Sequence, residues 1–184
     1  DFVPAAIRYN NRSIKVKLRL KGDWTDHLEG KKWSFRIHVK GKDHLFGMRR
    51  FSIQHPKVRG YYSEPLFMET LRHVGVLAPR YFFINVVING DDIGIMALEE
   101  HFSKELLEFN NRREGVIVRY DESLLWDARV LKISELNEAI FLSYKNSAID
   151  AFRSSRIAKS PALTENLEVA VGLLRSFTRG DLTP

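Results

Sequence analysis

Between residues 14 and 20 apolar and charged positions alternate without a break: Ile14, Val16, Leu18 and Leu20 take one side, Lys15, Lys17 and Arg19 the other, with Lys21 next in the basic series. Successive strand residues point to opposite faces, so this pattern predicts a half-buried strand that ends at Gly22-Asp23. Trp33, Phe35, Ile37 and Val39 alternate with Ser34, Arg36, His38 and Lys40 in the same way, and Gly41-Lys42-Asp43 turns the chain. A short third strand over 51–54 closes at His55-Pro56. The period then changes. Phe67, Leu71 and Val74 recur at spacings of four and three, as on one face of a helix. Ser63 is placed to cap it, Pro65 is tolerated in its first turn, and Gly75 stops it. Residues 81–88 and 93–98 are dense apolar, β-branched runs joined by Asn89-Gly90-Asp91-Asp92, the clearest hairpin signal in the chain.

A short helix is predicted over 103–109 and a strand over 116–119, with Arg112-Arg113-Glu114-Gly115 turning between them. From Tyr120 onward the pattern is helical. Leu136, Ile140 and Tyr144 lie at spacing four, and Thr164 is placed to cap a last helix with Leu167, Val171 and Leu174 on one face and Gly180 at its end. Residues 154–161 read as a loop. The expected organisation is an α+β region with a mainly antiparallel sheet over 1–119, followed by a helical segment over 120–184.

Composition narrows the functional classes. With 44% hydrophobic and 28% charged residues over 184 positions, the chain is of ordinary globular make-up. It has no cysteine, which excludes disulfides and thiolate metal sites. The net charge of +6 favours anionic partners such as nucleotide phosphates. The 29 Lys and Arg are interspersed with 23 acids, which points to a solvated surface more than to nucleic acid. The face formed by Lys15, Lys17, Arg19 and Lys21 is where a nucleic acid would bind. No run reaches the roughly 18 apolar residues of a spanning helix. The chain opens at Asp1 and stops at Pro184 in mid-pattern, so it is expected to be part of a longer protein. A segment directing it to a cell envelope or to secretion would precede residue 1. Walker, G-x-G-x-x-G and G-x-S-x-G sequences are absent, and the six histidines show no H-E-x-x-H spacing.

Four stretches resemble the CotH family of spore-coat kinases. They are Lys21-Gly22 with Lys31-Lys32-Trp33-Ser34-Phe35-Arg36; Leu45-Phe46-Gly47-Met48-Arg49-Arg50-Phe51-Ser52-Ile53; Gly75-Val76-Leu77-Ala78-Pro79-Arg80; and the run from Val87 through Asn89-Gly90 and Gly94 to Leu98-Glu99-Glu100. The last is the most specific. Met96 stands where the family usually has an aromatic, and the stretch from Asp23 to Glu29 departs from the family's Asn/Ser-rich loop. The resemblance implies a kinase-like N-lobe: a β3-like strand, a C-helix, a paired β4–β5 and a hinge, leading into an incomplete C-lobe. It implies ATP and Mg²⁺ as cofactors, and phosphotransfer to protein hydroxyls in the full-length protein. A non-catalytic interaction module that kept the fold is the alternative.

On that reading Lys32 and Arg36 are candidates for phosphate contacts, with Arg59 as a third cation. Glu64 and Glu69 are the acids available on the C-helix, although Glu64 also suits a helix N-terminus and Glu69 also suits pairing with Arg72 or His73. Ala97, Leu98 and Glu99 are the expected hinge, with Glu99 and Glu100 near a ribose. Asp121, Asp127, Asp150 and Asp181 sit in no recognisable motif, so no catalytic base is assigned and the piece alone is expected to transfer no phosphate.

Overall fold

The computed structural model describes residues 1–22, 25–28, 30–123 and 147–182. They fall into two compact units, 1–113 and 114–184.

The first unit is built on six antiparallel strands: β1 (Val3–Tyr9), β2 (Arg12–Leu20), β3 (Phe35–Val39), β4 (Arg50–Gln54), β5 (Tyr81–Ile88) and β6 (Asp91–Glu100). Their order in the sheet is β1-β2-β3-β4-β6-β5. The first four strands form a plain meander. Helix α1 (Ser63–His73) then intervenes, and the β5–β6 hairpin returns so that β6 pairs with β4 and β5 forms the edge. Helix α2 (Lys104–Phe109) follows β6. Asn89 and Gly90 take φ of +52° and +96° at the hairpin tip, the left-handed pair that a two-residue turn requires. Strand β1 was not anticipated, because Pro4 and two alanines leave little apolar alternation in Val3–Tyr9.

The period of two divides the sheet into unlike faces. Ile14, Val16, Ile37, Val39, Phe51, Ile53, Met96 and Leu98 form one buried cluster, closed by Leu45 and Met48 from the β3–β4 connection. Burying a side chain such as Phe51 contributes about 1.5–3 kcal/mol. The opposite face carries Lys17 and Arg19 of β2, Arg36 and His38 of β3, Arg50, Ser52 and Gln54 of β4, and Ala97 and Glu99 of β6.

Helix α1 begins one residue earlier than a Ser63 cap implies: Tyr62 is the capping residue and makes no side-chain cap bond. The predicted face also needs correction. Phe67 and Val74 are 56% and 65% exposed, whereas Glu64, Pro65, Met68, Leu71 and Arg72 are half-buried. Pro65, Met68 and Leu71 form a second stripe at spacing three. The Tyr62 ring stands edge-on to Phe83 of β5 at 5.7 Å, which sets the helix rotation that buries this second stripe. Arg72 donates to the Pro79 carbonyl at 2.6 Å and ties down the helix exit.

The second unit pairs β7 (Val118–Tyr120) with β8 (Ile149–Ala151) and adds α3 (Ser154–Ile157) and α4 (Pro161–Arg179). The α3 turn lies where a loop was expected; it starts after Arg153, held at φ +64°. Ser160, not Thr164, caps α4: its Oγ accepts from Leu163 N at 3.4 Å, and Pro161 fills the first turn. Thr164 instead donates back to Ile157 and Ser160 carbonyls. Gly180 ends the helix at φ +82°. Tyr120 and Thr178 share a hydroxyl hydrogen bond of 2.8 Å that fixes α4 against β7. The expected helix around Leu136, Ile140 and Tyr144 lies outside the described residues. Among the described residues no helix is long and apolar enough to cross a membrane.

Candidate functional site

The polar face of the first unit gathers its charges around Lys21, which continues the outward series of β2. Its N–H donates to the Ser34 carbonyl at 2.9 Å, so the β2–β3 connection is zipped at its base. Gly22 lets the chain turn there. Its φ is +133°, and a Cβ would lie 2.4 Å from the Cβ of His27, whose Nδ1 is 2.9 Å from Ser34 Oγ. Any side chain at 22 would displace His27 and with it the loop that holds Lys21.

Lys21 Nζ donates to Glu99 Oε2 at 2.6 Å and to Gln54 Oε1 at 3.1 Å, and Gln54 Nε2 donates to the same Glu99 oxygen at 3.1 Å. Three strands thus contribute one closed triangle. Arg59, from a 3-10 turn just before α1, brings Nη2 to 4.0 Å from Glu99 Oε1. Tyr81 lies opposite Glu99 in the β5–β6 register, with its hydroxyl buried beside Gln54. Burial pushes the phenol up to about 12; the charges of Glu99 and Glu64 add to the shift, while Gln54 and Arg59 oppose it. Burial lowers the Lys21 pKa against the pull of Glu99, and Arg59 and Arg36 act in the same direction as burial.

The histidines report the same positive field. His101 Nε2 and Ser52 Oγ are 2.7 Å apart, and the His38 ring centroid is 6.4 Å from that of His101. Burial first, then neighbouring cations including Arg36 and Arg50, lowers His38 to about 4 and His101 to about 3. Both are neutral at pH 7. Among the described residues of this face, Glu99 stands with the cations Lys17, Arg19, Lys21, Arg36, Arg50 and Arg59, an excess of positive charge that suits an anionic ligand.

The neighbouring Glu100 has the opposite environment. It points to the core face and is fully buried against Arg80, with Nη2 to Oε1 at 2.5 Å and Nε to Oε2 at 2.8 Å; the Arg80 N–H adds a third bond at 3.1 Å. Arg80 also donates to the Phe46 carbonyl at 2.7 Å and lies over the Phe109 ring of α2 at 4.2 Å. Every polar group of this pair has a partner, as a buried ion pair requires.

The residues singled out from sequence are distributed unevenly. Arg36, Arg59 and Glu99 lie within the Lys21 cluster, and Glu64 reaches it through its charge on Tyr81. Lys32 lies ahead of β3 and donates to the Ile95 carbonyl at 2.9 Å, farther along β6. Glu69 pairs with Arg72 along the exposed side of α1. Ala97 and Leu98 are fully buried inside β6 with strands on both sides. Asp150 pairs with Arg119 and Asp181 with Arg179, both at the surface, and Asp121 accepts from Ser123; Asp127 lies outside the described residues. Among the described residues no group of three His, Asp or Glu is placed to hold a metal ion. Lys21, Gln54 and Tyr81 were missed as site residues. Alternation placed Lys21 on the outward side of its strand, but its partners arrive from β4 and β6.

A family model described as CotH kinase protein matches residues 18–162. None of the curated proteins compared with the chain matches it. The matched span contains all four resembling stretches, and Arg80 and Glu100, which close two of them, meet in the buried ion pair. The chain belongs to the CotH kinase protein family.

Proposed function

We propose that the polar face of the first unit is the nucleotide-facing side of a CotH-like kinase, which in the full-length protein transfers phosphate from ATP to protein hydroxyls. The observation that carries this reading is the Lys21–Glu99 ion pair, set in a half-buried, positively charged cluster. Kinases hold a phosphate-contacting lysine with a glutamate. Here Lys21 and Glu99 take those roles, in place of Lys32 with Glu64 or Glu69. Arg36 and Arg59 are the further cations for phosphate oxygens. Helix α1 then corresponds to the C-helix and the β5–β6 hairpin to the β4–β5 pair.

The hinge shifts on this reading. Strand β6 is flanked by β4 and β5, so the backbone groups of Ala97 and Leu98 face neighbouring strands. Contact with the adenine edge is assigned to the exit of β6, after Glu100. ATP fits the cation set. Mg²⁺ is bound through one or two carboxylates together with phosphates; among the described residues no group of three His, Asp or Glu is placed to hold a metal ion, and no step is assigned to Mg²⁺.

Calorimetry of ATP·Mg²⁺ with the full-length protein tests the reading. Lys21→Ala is expected to weaken binding about tenfold or more, as loss of a charge-assisted contact does. Lys32→Ala is expected to change it little. A folded wild type that binds no nucleotide overturns the kinase reading in favour of a protein-interaction module on the same scaffold.

A further inference from the structure

Strands β1 to β4 contain no Asp or Glu at all, while β2 alone carries Arg12, Lys15, Lys17 and Arg19. Interspersed charge of both signs is the norm on a protein surface. Four successive strands of a single sign therefore need an explanation. Lys15, Lys17 and Arg19 share the face away from the core, and among the described residues no carboxylate pairs with any of them. Their neighbours on β1 are short: Ala6 stands opposite Lys15 and Pro4 opposite Lys17. The cations therefore rise above a low shelf. Phe2 orders two of them, with Lys17 Nζ at 4.9 Å and Arg19 Cζ at 5.6 Å from its ring centroid. On the β3 side His38 stands opposite Lys17, stacked on Phe2 at 4.5 Å, and the Lys40 N–H donates to the Lys15 carbonyl at 2.9 Å.

We propose that this β2 cation row docks a polypeptide segment carrying phosphorylated hydroxyls, the product of the phosphotransfer proposed above, on which this inference rests. Alternate residues of a strand are about 6.7 Å apart. An extended segment phosphorylated at every second residue presents its phosphates at the same pitch, one for each of Lys15, Lys17 and Arg19. Each phosphate carries about −1.5 to −2 charges near neutral pH and is matched by lysine or, in bidentate fashion, by arginine. The row continues into Lys21, so a docked product lies along the face that holds the Lys21–Glu99 pair. One phosphorylation event then helps to hold the chain for the next. A single-stranded nucleic acid fits less well, because it needs open aromatic platforms for its bases, and the Phe2 ring is already flanked by Lys17, Arg19 and His38.

Fluorescence anisotropy with the full-length protein tests the docking row. The probe is a Ser-Gly repeat peptide with four phosphoserines; the comparisons are the same peptide without phosphate, a single-stranded oligonucleotide, and vesicles of phosphatidylcholine with phosphatidylserine. The wild type is expected to bind the phosphopeptide, more weakly at higher salt, and to leave the unphosphorylated peptide free. Lys15→Gln/Lys17→Gln, at two exposed strand positions, should weaken it about tenfold, and Lys15→Arg/Lys17→Arg should retain it. Equal binding of the unphosphorylated peptide, equal binding by the Gln variant, or tighter binding of the oligonucleotide or vesicles overturns the proposal. A wild type that binds the phosphopeptide and no ATP removes the phosphotransfer reading while the docking surface stands.

Discussion

Glu99 and Glu100 are consecutive residues of β6, each bound to a cation, and the pleat sends them to opposite faces of the sheet. Glu100 meets Arg80 where neither side chain has water to fall back on: Glu100 is 0% exposed and Arg80 12%. Glu99 meets Lys21 at a similar distance, but is 19% exposed, also accepts from Gln54 and lies 4.0 Å from Arg59. The first pair is surrounded by core side chains and fixes the hairpin to the β3–β4 connection and α2. The second is surrounded by excess positive charge, which on the proposed reading lets Lys21 meet an anionic ligand. The stretch that most resembles the family thus ends in two acids, of which one is closed into the core face and the other lies in the proposed site.

The largest effect should come from the core face. Glu100→Ala leaves the Arg80 guanidinium buried without its carboxylate, and breaking such a pair from one side costs about 3–5 kcal/mol. Urea denaturation should show this loss; a cost below about 1 kcal/mol would place Glu100 with Glu99 as a surface-type pair. Next comes acid. His38 and His101 have folded pKa values of about 4 and about 3, below the usual 6.5. The unfolded chain therefore binds more protons between these values, and stability falls as pH drops from 6.5 towards 4. The expected loss is about 2 kcal/mol, after allowing for screening at this half-open face. His101→Gln should flatten that limb of the pH–stability curve; an unchanged slope would show that burial and the neighbouring cations do not hold His101 neutral. Glu99→Gln should cost about 1 kcal/mol of stability, because Lys21 keeps Gln54 and has access to water. Glu69→Ala should cost less than about 0.5 kcal/mol, as an exposed helix pair does.

Strands β2 to β6 and the Asn89-Gly90 turn were legible in the sequence, and the residue types of the turn match the φ values found. The opposed positions of Glu99 and Glu100 were not: the strand was expected to end at residue 98 with both acids near a ribose, and only its continuation through Glu100 sends them to opposite faces. Nor was the Lys21–Glu99 pair. Its partners are 78 residues apart and meet only because β6 inserts between β4 and β5, a choice made by sheet order and not by local pattern. The face of α1 was misread because two apolar stripes compete on that helix and the Tyr62–Phe83 contact decides between them. Thr164 lost the cap to Ser160 because Pro161, tolerated in a first helical turn, sets the start four residues earlier than Thr164 implied. Glu64 and Glu69 were reasonable acids for a kinase lysine on helix spacing alone. The fold gives the lysine an acid from β6 first.

ATP·Mg²⁺ calorimetry on folded Glu99→Gln full-length protein, with the urea midpoint measured on the same sample, tests most directly that Glu99 serves the site while Glu100 holds the fold. The account predicts about tenfold weaker nucleotide binding with a stability loss near 1 kcal/mol, because Lys21 loses the carboxylate that positions it. Unchanged affinity together with a stability loss of about 3 kcal/mol or more would contradict it, and would make Glu99 a second structural pair like Glu100.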